Sequence, residues 1–166
     1  IRHINNFTAS EVTAHKEFIG FGTLHAAMED PLSEIGRIEK LGLKGIKLHP
    51  DTQRFPIDDI RMDPVYDALP RLTVIAAHLG GWSMFDTAFE YLKDTACYFD
   101  ISSSMMFLGP EQTKRYISGY GAERILFGSD FPMWSPGKEW KTFLDLKLPP
   151  SETEKIGYQN ARDILG

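Results

Sequence analysis

Three segments of the sequence place a metal-binding type of residue directly after a run of apolar residues. His49 follows the run that ends at Leu48, His78 follows the run that ends at Ala77, and Asp130 comes shortly after Phe127. Imidazole and carboxylate groups are ligands that Zn²⁺ or a similar divalent ion takes where thiolates are absent. If the three segments converge, their side chains predict a metal site.

The single cysteine limits the ligands that the chain can offer to a metal ion. Cys97 is the only cysteine, so the chain forms neither an internal disulfide nor a thiolate metal cluster. Each single site residue also has a structural interpretation, since a lone histidine at a strand end is more often a hydrogen-bonded cap, and an aspartate before Phe-Pro can cap a turn. Their coincidence at several successive segments favours the functional interpretation.

Five apolar runs recur along the chain and predict the strands that would position these residues. Their starts lie about 25 to 28 residues apart, and they are almost continuously apolar, which is typical of strands buried on both faces of a parallel sheet. The runs are 18–24, 45–48, 72–77, 97–101 and 124–127.

Helix-forming segments lie between the runs. Asp30 and Pro31 predict a helix start and Gly42 its end, and the apolar spacing of 85–92 predicts a second helix. Pro110 predicts the start of a third, and Ser151 with Glu154 has capping-box spacing for a C-terminal helix. Strand and helix in alternation predict an α/β protein with a parallel sheet.

Both a barrel and a doubly wound sheet would give this alternation of strands and helices. No predicted strand is followed by a glycine-rich phosphate loop, which weakens a nucleotide-binding interpretation. In a (β/α)8 barrel the carboxyl ends of all strands meet at one mouth, so residues far apart in sequence surround one pocket. Such a barrel takes about 250 residues. The chain has 166, so part of the barrel is expected to be absent.

The composition limits the kinds of partner that this protein is expected to bind. The net charge of −5 comes with no basic stripe of the kind that nucleic acid or an anionic membrane requires. No apolar run approaches the roughly 20 residues that span a bilayer. We therefore expect a cytoplasmic protein with a small-molecule substrate and without nucleic-acid or membrane partners. Strand edges exposed by missing barrel elements would favour a homo-oligomer.

Four motifs in order resemble the amidohydrolase-related (amidohydrolase 2) family of TIM-barrel metal-dependent hydrolases. The resemblance extends from about Phe18 to Gly166 and implies a distorted (β/α)8 barrel with zinc or another divalent ion at its mouth. The motifs that carry it are Lys47-Leu48-His49-Pro50, His78-Leu79-Gly80-Gly81, Gly128-Ser129-Asp130-Phe131-Pro132 and Asn160-Ala161-Arg162.

The resemblance implies a role for each matching residue. Asp130 corresponds to the eighth-strand aspartate, which binds the metal and commonly takes the proton of the attacking water. His78 corresponds to the sixth-strand histidine, which lies beside the metal-bound water or binds a second ion. Lys47 and His49 correspond to the fourth-strand segment that lines the substrate pocket. Asp130 and His78 are therefore the predicted catalytic and metal-binding residues, and Lys47 and His49 the predicted substrate-binding residues.

The sequence departs from the family pattern at two places. The family begins with a first-strand His-x-His pair, and no such pair occurs in this chain. The family also has a fifth strand ending in a histidine, which would belong between Leu69 and Pro70. We therefore expect residues 1–166 to form a single partial barrel domain, with the first strand before Ile1 and a chain gap at the Leu69–Pro70 junction.

The predicted function is hydrolysis of an amide, lactone or related bond of a small molecule by metal-activated water, with zinc as the expected ion. A second interpretation is non-oxidative decarboxylation of an aromatic or muconate-type acid, since relatives with the same ligands are lyases. A third is an inactive fragment or binding scaffold, because one carboxylate and one or two imidazoles do not complete a zinc site.

Overall fold

The computed structural model describes residues 1–56, 59–68 and 73–165. The chain forms two compact units, Ile1–Ile75 and Ala76–Gly166, which are described in turn. The predicted gap at the Leu69–Pro70 junction lies outside the described residues.

Within its described residues, the first unit contains four α-helices and a short strand pairing. Gly22 pairs in parallel with Ile46 of β1, and the Ile46 backbone N donates to Thr73 O at 3.3 Å, just before β2. The run 18–24, predicted as a strand, is reduced to this single bridge at Gly22, because glycine weakens strand pairing. The elements are α1 (Arg2–Ala14), α2 (Pro31–Lys40), β1 (Ile46–Leu48), α3 (Pro50–Gln53), a 3₁₀ turn (Ile60–Met62), α4 (Asp63–Asp67) and β2 (Val74–Ala76), which reaches the unit boundary.

Helix α2 forms as its sequence predicts. The Asp30 carboxylate accepts a hydrogen bond from Ser33 N at 2.9 Å, and Pro31 occupies the first helical position. The helix ends at Lys40, two residues before Gly42, which adopts a φ of 77°. Ile38 points into a cluster of buried apolar residues in this unit, whose described members are Ala9, Leu24, Ala26, Ile38, Leu43, Ile46, Leu48, Phe55, Met62 and Val65.

Helix α1 is held to α2 by a polar network around a buried carboxylate, which we call the Glu34 network (Arg2, Asn5, Glu34 and Arg37). The Glu34 carboxylate is fully buried and accepts from Asn5 Nδ2 at 2.8 Å, Arg2 Nε at 3.1 Å and Arg37 Nη2 at 2.6 Å. Asn5 also exchanges two hydrogen bonds with the Thr23 backbone, at 2.8 and 3.0 Å. The network therefore ties α1, α2 and the segment around Thr23 together.

The second unit contains two paired strands and five α-helices within its described residues. Strands β3 and β4 run in parallel, with Phe99 opposite Ile125 and Asp100 opposite Leu126. Its elements are a 3₁₀ turn (His78–Gly80), α5 (Phe85–Leu92), β3 (Tyr98–Asp100), α6 (Met105–Tyr120), a 3₁₀ turn (Ala122–Arg124), β4 (Ile125–Leu126), α7 (Pro136–Leu144), α8 (Pro150–Glu154), a π-helical turn (Lys155–Gln159) and α9 (Asn160–Leu165).

One predicted helix start agrees with the structure and one differs. Helix α6 has a non-helical backbone at Gly109 (φ 70°, ψ 172°), so its short first part ends there and the regular helix begins at Pro110, as predicted. The capping box at Ser151 is wrong, because Pro149 is the N-cap and Pro150 opens α8. Proline fixes the helical φ in advance and places Ser151 inside the first turn.

Aromatic stacking and one amide hold the core of the second unit. Phe99 of β3 stacks on Tyr120 at a ring-centroid distance of 3.9 Å, and the Tyr120 hydroxyl donates to Leu79 O at 3.0 Å. Asn160 Nδ2 donates to the carbonyl oxygens of Ala122 and Ile125, each at 2.7 Å. These bonds fix α9 against the start of β4, and with it the strand that leads to Asp130.

Candidate active site

Polar residues of the second unit follow the carboxyl ends of its strands. His78 comes after β2, Asp100 ends β3, and Asp130 follows β4. Because β3 and β4 are parallel and in register, and Ile101 N still donates to Leu126 O at 3.1 Å, the residues beyond them emerge at one edge. The sequence prediction that His78 and Asp130 follow strands is confirmed by these positions.

His78 is buried and oriented by the residues after β3. Its Nδ1 lies 2.8 Å from Ser102 O and 3.1 Å from Ser102 Oγ. A carbonyl oxygen only accepts, so Nδ1 carries the proton, and in the neutral ring the lone pair lies on Nε2. Asp100 completes the arrangement, since its Oδ1 accepts from Ser102 Oγ, from Ser102 N at 3.1 Å and from His78 N at 3.3 Å. The ring therefore has one tautomer and one orientation.

Asp130 is solvent-exposed, and its carboxylate is held by a second serine. Ser103 Oγ donates to Asp130 Oδ2 at 2.8 Å, and Ser103 Oγ itself accepts from Trp134 Nε1 at 2.8 Å. Gly128 makes the approach of this segment possible, because a Cβ there would lie 3.2 Å from Ser102 Cβ. In the described part of the chain, the Ser103 bond is the one hydrogen bond recorded for the Asp130 carboxylate.

The serine pair Ser102–Ser103 therefore anchors both predicted catalytic residues. Ser102 contacts His78, and its chain neighbour Ser103 contacts Asp130. In the sequence, a serine run such as Ser102 to Ser104 is typical of an ordinary polar loop rather than of pocket lining. Only the position of this serine run directly after β3 could have signalled its role.

Backbone strain is concentrated in these loops. Of the seven non-glycine residues with a left-handed φ in the described part of the chain, five lie in these loops: His78 (53°), Leu79 (55°), Ser83 (64°), Ser103 (52°) and Asp130 (56°). Each such residue costs about 1 kcal/mol or more, and residues of this kind cluster at functional sites. Gly80 continues the first loop at a φ of 89°, and a Cβ there would lie 2.8 Å from Leu92 Cδ1 of α5. The loop after β2 is therefore shaped by its two glycines and by packing on α5.

The other two predicted site residues belong to the first unit. Lys47 lies half-buried in β1, and His49 follows the strand. His49 N donates to Gln53 Oε1 at 2.8 Å, and His49 Nδ1 accepts from Thr52 N at 3.4 Å. Their assignment to the substrate pocket stays a prediction.

His25, in the same unit, shows what a purely structural histidine looks like. Its Nδ1 accepts from Ala27 N at 2.9 Å, which leaves Nε2 to donate to Gln53 O at 2.8 Å. Both ring nitrogens are therefore satisfied by the backbone.

Asp130 and His78 are donors of the right chemical type for a divalent ion, but they do not form a full set. Across residues 1–56, 59–68 and 73–165, no three His, Cys, Asp or Glu side chains are grouped closely enough to hold a metal ion. A stable site takes three or four protein ligands. Within the described residues, Asp130 and His78 therefore do not by themselves complete a metal site.

The sequence and the fold were compared with known proteins. The family model described as amidohydrolase matches residues 55–166, about two thirds of the chain. No curated protein sequence matches the chain.

Three solved structures illustrate the fold likeness. An uncharacterized TIM-barrel protein from Bordetella bronchiseptica superposes with a TM-score of 0.76 at 22% identity, over 97% of this chain and 71% of that one. A dihydroxybenzoic acid decarboxylase from Polaromonas sp., with bound manganese and the inhibitor 2-nitroresorcinol, gives 0.68 at 18% identity, over 99% and 74%. A proposed 2-pyrone-4,6-dicarboxylic acid hydrolase from Pseudomonas putida gives 0.62 at 17% identity, over 98% and 77%.

These likenesses confirm the predicted fold class, an α/β TIM barrel that is incomplete in this chain. None of the helices in the described ranges is long and apolar enough to cross a membrane. The match over residues 55–166 covers the His78 and Asp130 motifs that carried the resemblance. The chain therefore belongs to the amidohydrolase family of metal-dependent TIM-barrel enzymes.

Proposed function

We propose that this protein is a metal-dependent hydrolase that acts on an amide, lactone or related bond of a small molecule. The observation that carries the proposal is the pairing of Asp130 and His78 on the serine pair Ser102–Ser103, directly after the strands β2 to β4. The proposed 2-pyrone-4,6-dicarboxylic acid hydrolase from Pseudomonas putida, which has a similar fold, supports this choice. Zinc is the ion we propose, although the decarboxylase from Polaromonas sp. contains manganese.

The side chains suit the reaction. A divalent ion, when bound, lowers the pKa of a water molecule and polarises the scissile carbonyl. The Asp130 carboxylate, exposed and held through Oδ2, would accept the proton that the attacking water releases. His78 would orient that water through Nε2, since Nδ1 is committed to Ser102 O. We propose that Lys47 and His49 bind the substrate.

Decarboxylation is the second candidate, and it is favoured by the Polaromonas enzyme, whose fold the chain matches over 99% of its length. In that reaction a proton is added to the carbon that bears the carboxylate, and CO₂ leaves with the bonding electrons retained on that carbon. Protonated Asp130 or His78 would be the proton donor. The reaction needs no attacking water, so the two candidates differ in their products.

The proposal is tested by metal analysis and a substrate panel. The purified chain is assayed for bound zinc and manganese, for hydrolysis of lactones and amides, and for CO₂ release from hydroxybenzoates. Asp130→Asn should reduce both metal content and turnover, whereas Asp145→Asn, at an exposed helix end, should change neither. CO₂ release without hydrolysis would replace the first candidate by the second.

If the wild-type chain took up no metal and showed no turnover, both candidate functions would be overturned. The interpretation as an inactive fragment or binding scaffold would remain. Retention of metal and turnover in Asp130→Asn would refute the role of Asp130. The cytoplasmic location, the lack of nucleic-acid and membrane partners and the homo-oligomer stay predictions.

A further inference from the structure

The indole of Trp134 points at the serine that holds Asp130. Trp134 lies in the loop between β4 and α7, four residues after Asp130. Its Nε1 donates to Ser103 Oγ at 2.8 Å, and Ser103 Oγ donates to Asp130 Oδ2 at 2.8 Å. An indole N–H is only a donor, and a hydroxyl has one proton. The Ser103 oxygen therefore accepts from Trp134, and its single proton is directed at Asp130.

The conformation of Ser103 supports a role for its side chain. Ser103 is buried and adopts a φ of 52°. Glycine adopts this conformation without strain but has no hydroxyl. The strain at Ser103 thus accompanies a hydrogen bond that glycine would be unable to make.

We propose that Ser103 and Trp134 are positioning residues, which hold the Asp130 carboxylate in one orientation for its work on the ion and the water. Asp130 is exposed, so without this bond its carboxylate would rotate freely. Groups that hydrogen-bond a metal-binding carboxylate typically change metal affinity by 10–100-fold when they are removed. The inference rests on the proposed function, because it assigns Asp130 to the metal site.

The arrangement predicts non-additive effects. Among the described residues, the hydrogen bonds that link Trp134 to the Asp130 carboxylate run through the Ser103 hydroxyl. The loss of the Trp134 indole should therefore weaken Mn²⁺ binding only while that hydroxyl is present. Two side chains that each supported Asp130 independently would show additive effects instead. A double-mutant cycle therefore separates the proposed relay from general packing.

The first measurement titrates Mn²⁺ into the full chain and into Ser103→Gly, Trp134→Phe and the double variant, with Trp140→Phe as the control. Glycine keeps the backbone conformation, and Trp140 lies on α7 against Phe127 and Phe143. Ser103→Gly should weaken Mn²⁺ binding by roughly 10-fold or more. Trp134→Phe should weaken it less, and should add nothing to Ser103→Gly. Circular dichroism checks that each variant is folded. Binding of Mn²⁺ by Ser103→Gly as tightly as by the wild type would overturn the inference.

The second measurement needs no ion. The chain has three tryptophans, so ¹⁵N labelling gives three indole N–H signals, and that of Trp134 is identified by its loss in Trp134→Phe. Asp130→Asn should shift the Trp134 signal in the wild-type background and leave it in place in Ser103→Gly. Equal shifts in both backgrounds, or none in either, would overturn the relay.

The two measurements separate the inference from the proposed function. A wild-type chain that takes up no Mn²⁺ refutes the metal role of Asp130 in this chain, and with it that part of the proposed function. The indole shift then decides alone whether Ser103 and Trp134 hold Asp130.

Discussion

Two carboxylates of this protein, Glu34 in the first unit and Asp130 in the second, are held by hydrogen bonds in opposite ways. Glu34 is fully buried and accepts from two arginines and an asparagine. Asp130 is exposed and accepts from one hydroxyl at Oδ2. The arginines and Asn5 outweigh the effect of burial and lower the pKa of Glu34 from 4.5 to about 2.

The difference separates a carboxylate that stabilises the fold from one that is placed for chemistry. A buried charge with all its lone pairs occupied holds helices together but has no lone pair left for a ligand. An exposed carboxylate with one oxygen held contributes little to folding, yet it keeps an oxygen directed to solvent. We therefore expect substitutions in the Glu34 network to reduce stability, and substitutions around Asp130 to reduce activity.

The largest effect is expected from His78→Asn. Asparagine tolerates the left-handed φ of 53°, and its amide N–H₂ replaces Nδ1–H as the donor to Ser102 O. The substitution removes Nε2 alone, so turnover should fall roughly 100-fold or more, as for the loss of a general acid or base. Steady-state kinetics on the best substrate of the panel measures this change.

His3→Asn is the control for that substitution, because His3 is exposed on α1. A His78→Asn protein that is folded and retains wild-type turnover would place His78 with His25, as a structural histidine.

The next effect in size is the loss of stability in Glu34→Gln. The Gln amide has the same shape as the Glu carboxylate, but only one of its two terminal atoms accepts hydrogen bonds. Donors that bonded to the other carboxylate oxygen would face an N–H₂ group instead. Hydrogen bonds to a charged group contribute about 1.5 to 3 kcal/mol, so the free energy of unfolding should fall by roughly 2 to 3 kcal/mol. Urea denaturation measures the fall, with the exposed Glu39→Gln of the same helix as the control.

Mn²⁺ affinity should stay unchanged in folded Glu34→Gln. If the binding free energy of Mn²⁺ fell by more than the free energy of unfolding, the Glu34 network would also support the site. The contrast between the two carboxylates would then fail.

The fold could be predicted where local signals are strong. Asp30, Pro31 and Gly42 delimit α2, and four of the five apolar runs contain strands. Helix α1 could not be predicted in the same way, since its polar sequence shows no clear apolar face. Its position depends on Asn5 and Arg2 reaching a glutamate about 30 residues away, which no local pattern reveals.

The site could be predicted at His78 and Asp130 because these residue types stand out at strand ends. The sequence did not single out Ser103 or assign Trp134. Serine is common in loops, and the direction of its single hydroxyl proton depends on partners 27 and 31 residues away. A tryptophan shortly after a strand suits substrate stacking and loop packing equally well, and the structure shows the N–H of Trp134 bonded to Ser103.

A smaller change in stability is expected when the pH is lowered. The folded-state pKa of Glu34 is about 2, against 4.5 for the ordinary side chain, so its contribution is fully present above pH 4.5 and is lost as pH falls toward 2. The stability difference between wild type and Glu34→Gln should therefore shrink across this window. Urea denaturation at pH 6, 4 and 3 measures it. A difference that stays constant down to pH 3 would mean that the Glu34 carboxylate is not the source.

The smallest effect is expected from Asp130→Asn on stability. The substitution exchanges a carboxylate for an amide, as Glu34→Gln does, but the amide oxygen still accepts from Ser103 and the exposed group needs no further partner. The free energy of unfolding should change by less than about 0.5 kcal/mol, as for other exposed positions. A loss as large as that in Glu34→Gln would show that Asp130 is a structural carboxylate, and the strain at Ser103 and Asp130 would then belong to folding rather than to catalysis. If Asp130 is placed for chemistry, Asp130→Asn should keep its free energy of unfolding within that limit and should lose metal uptake.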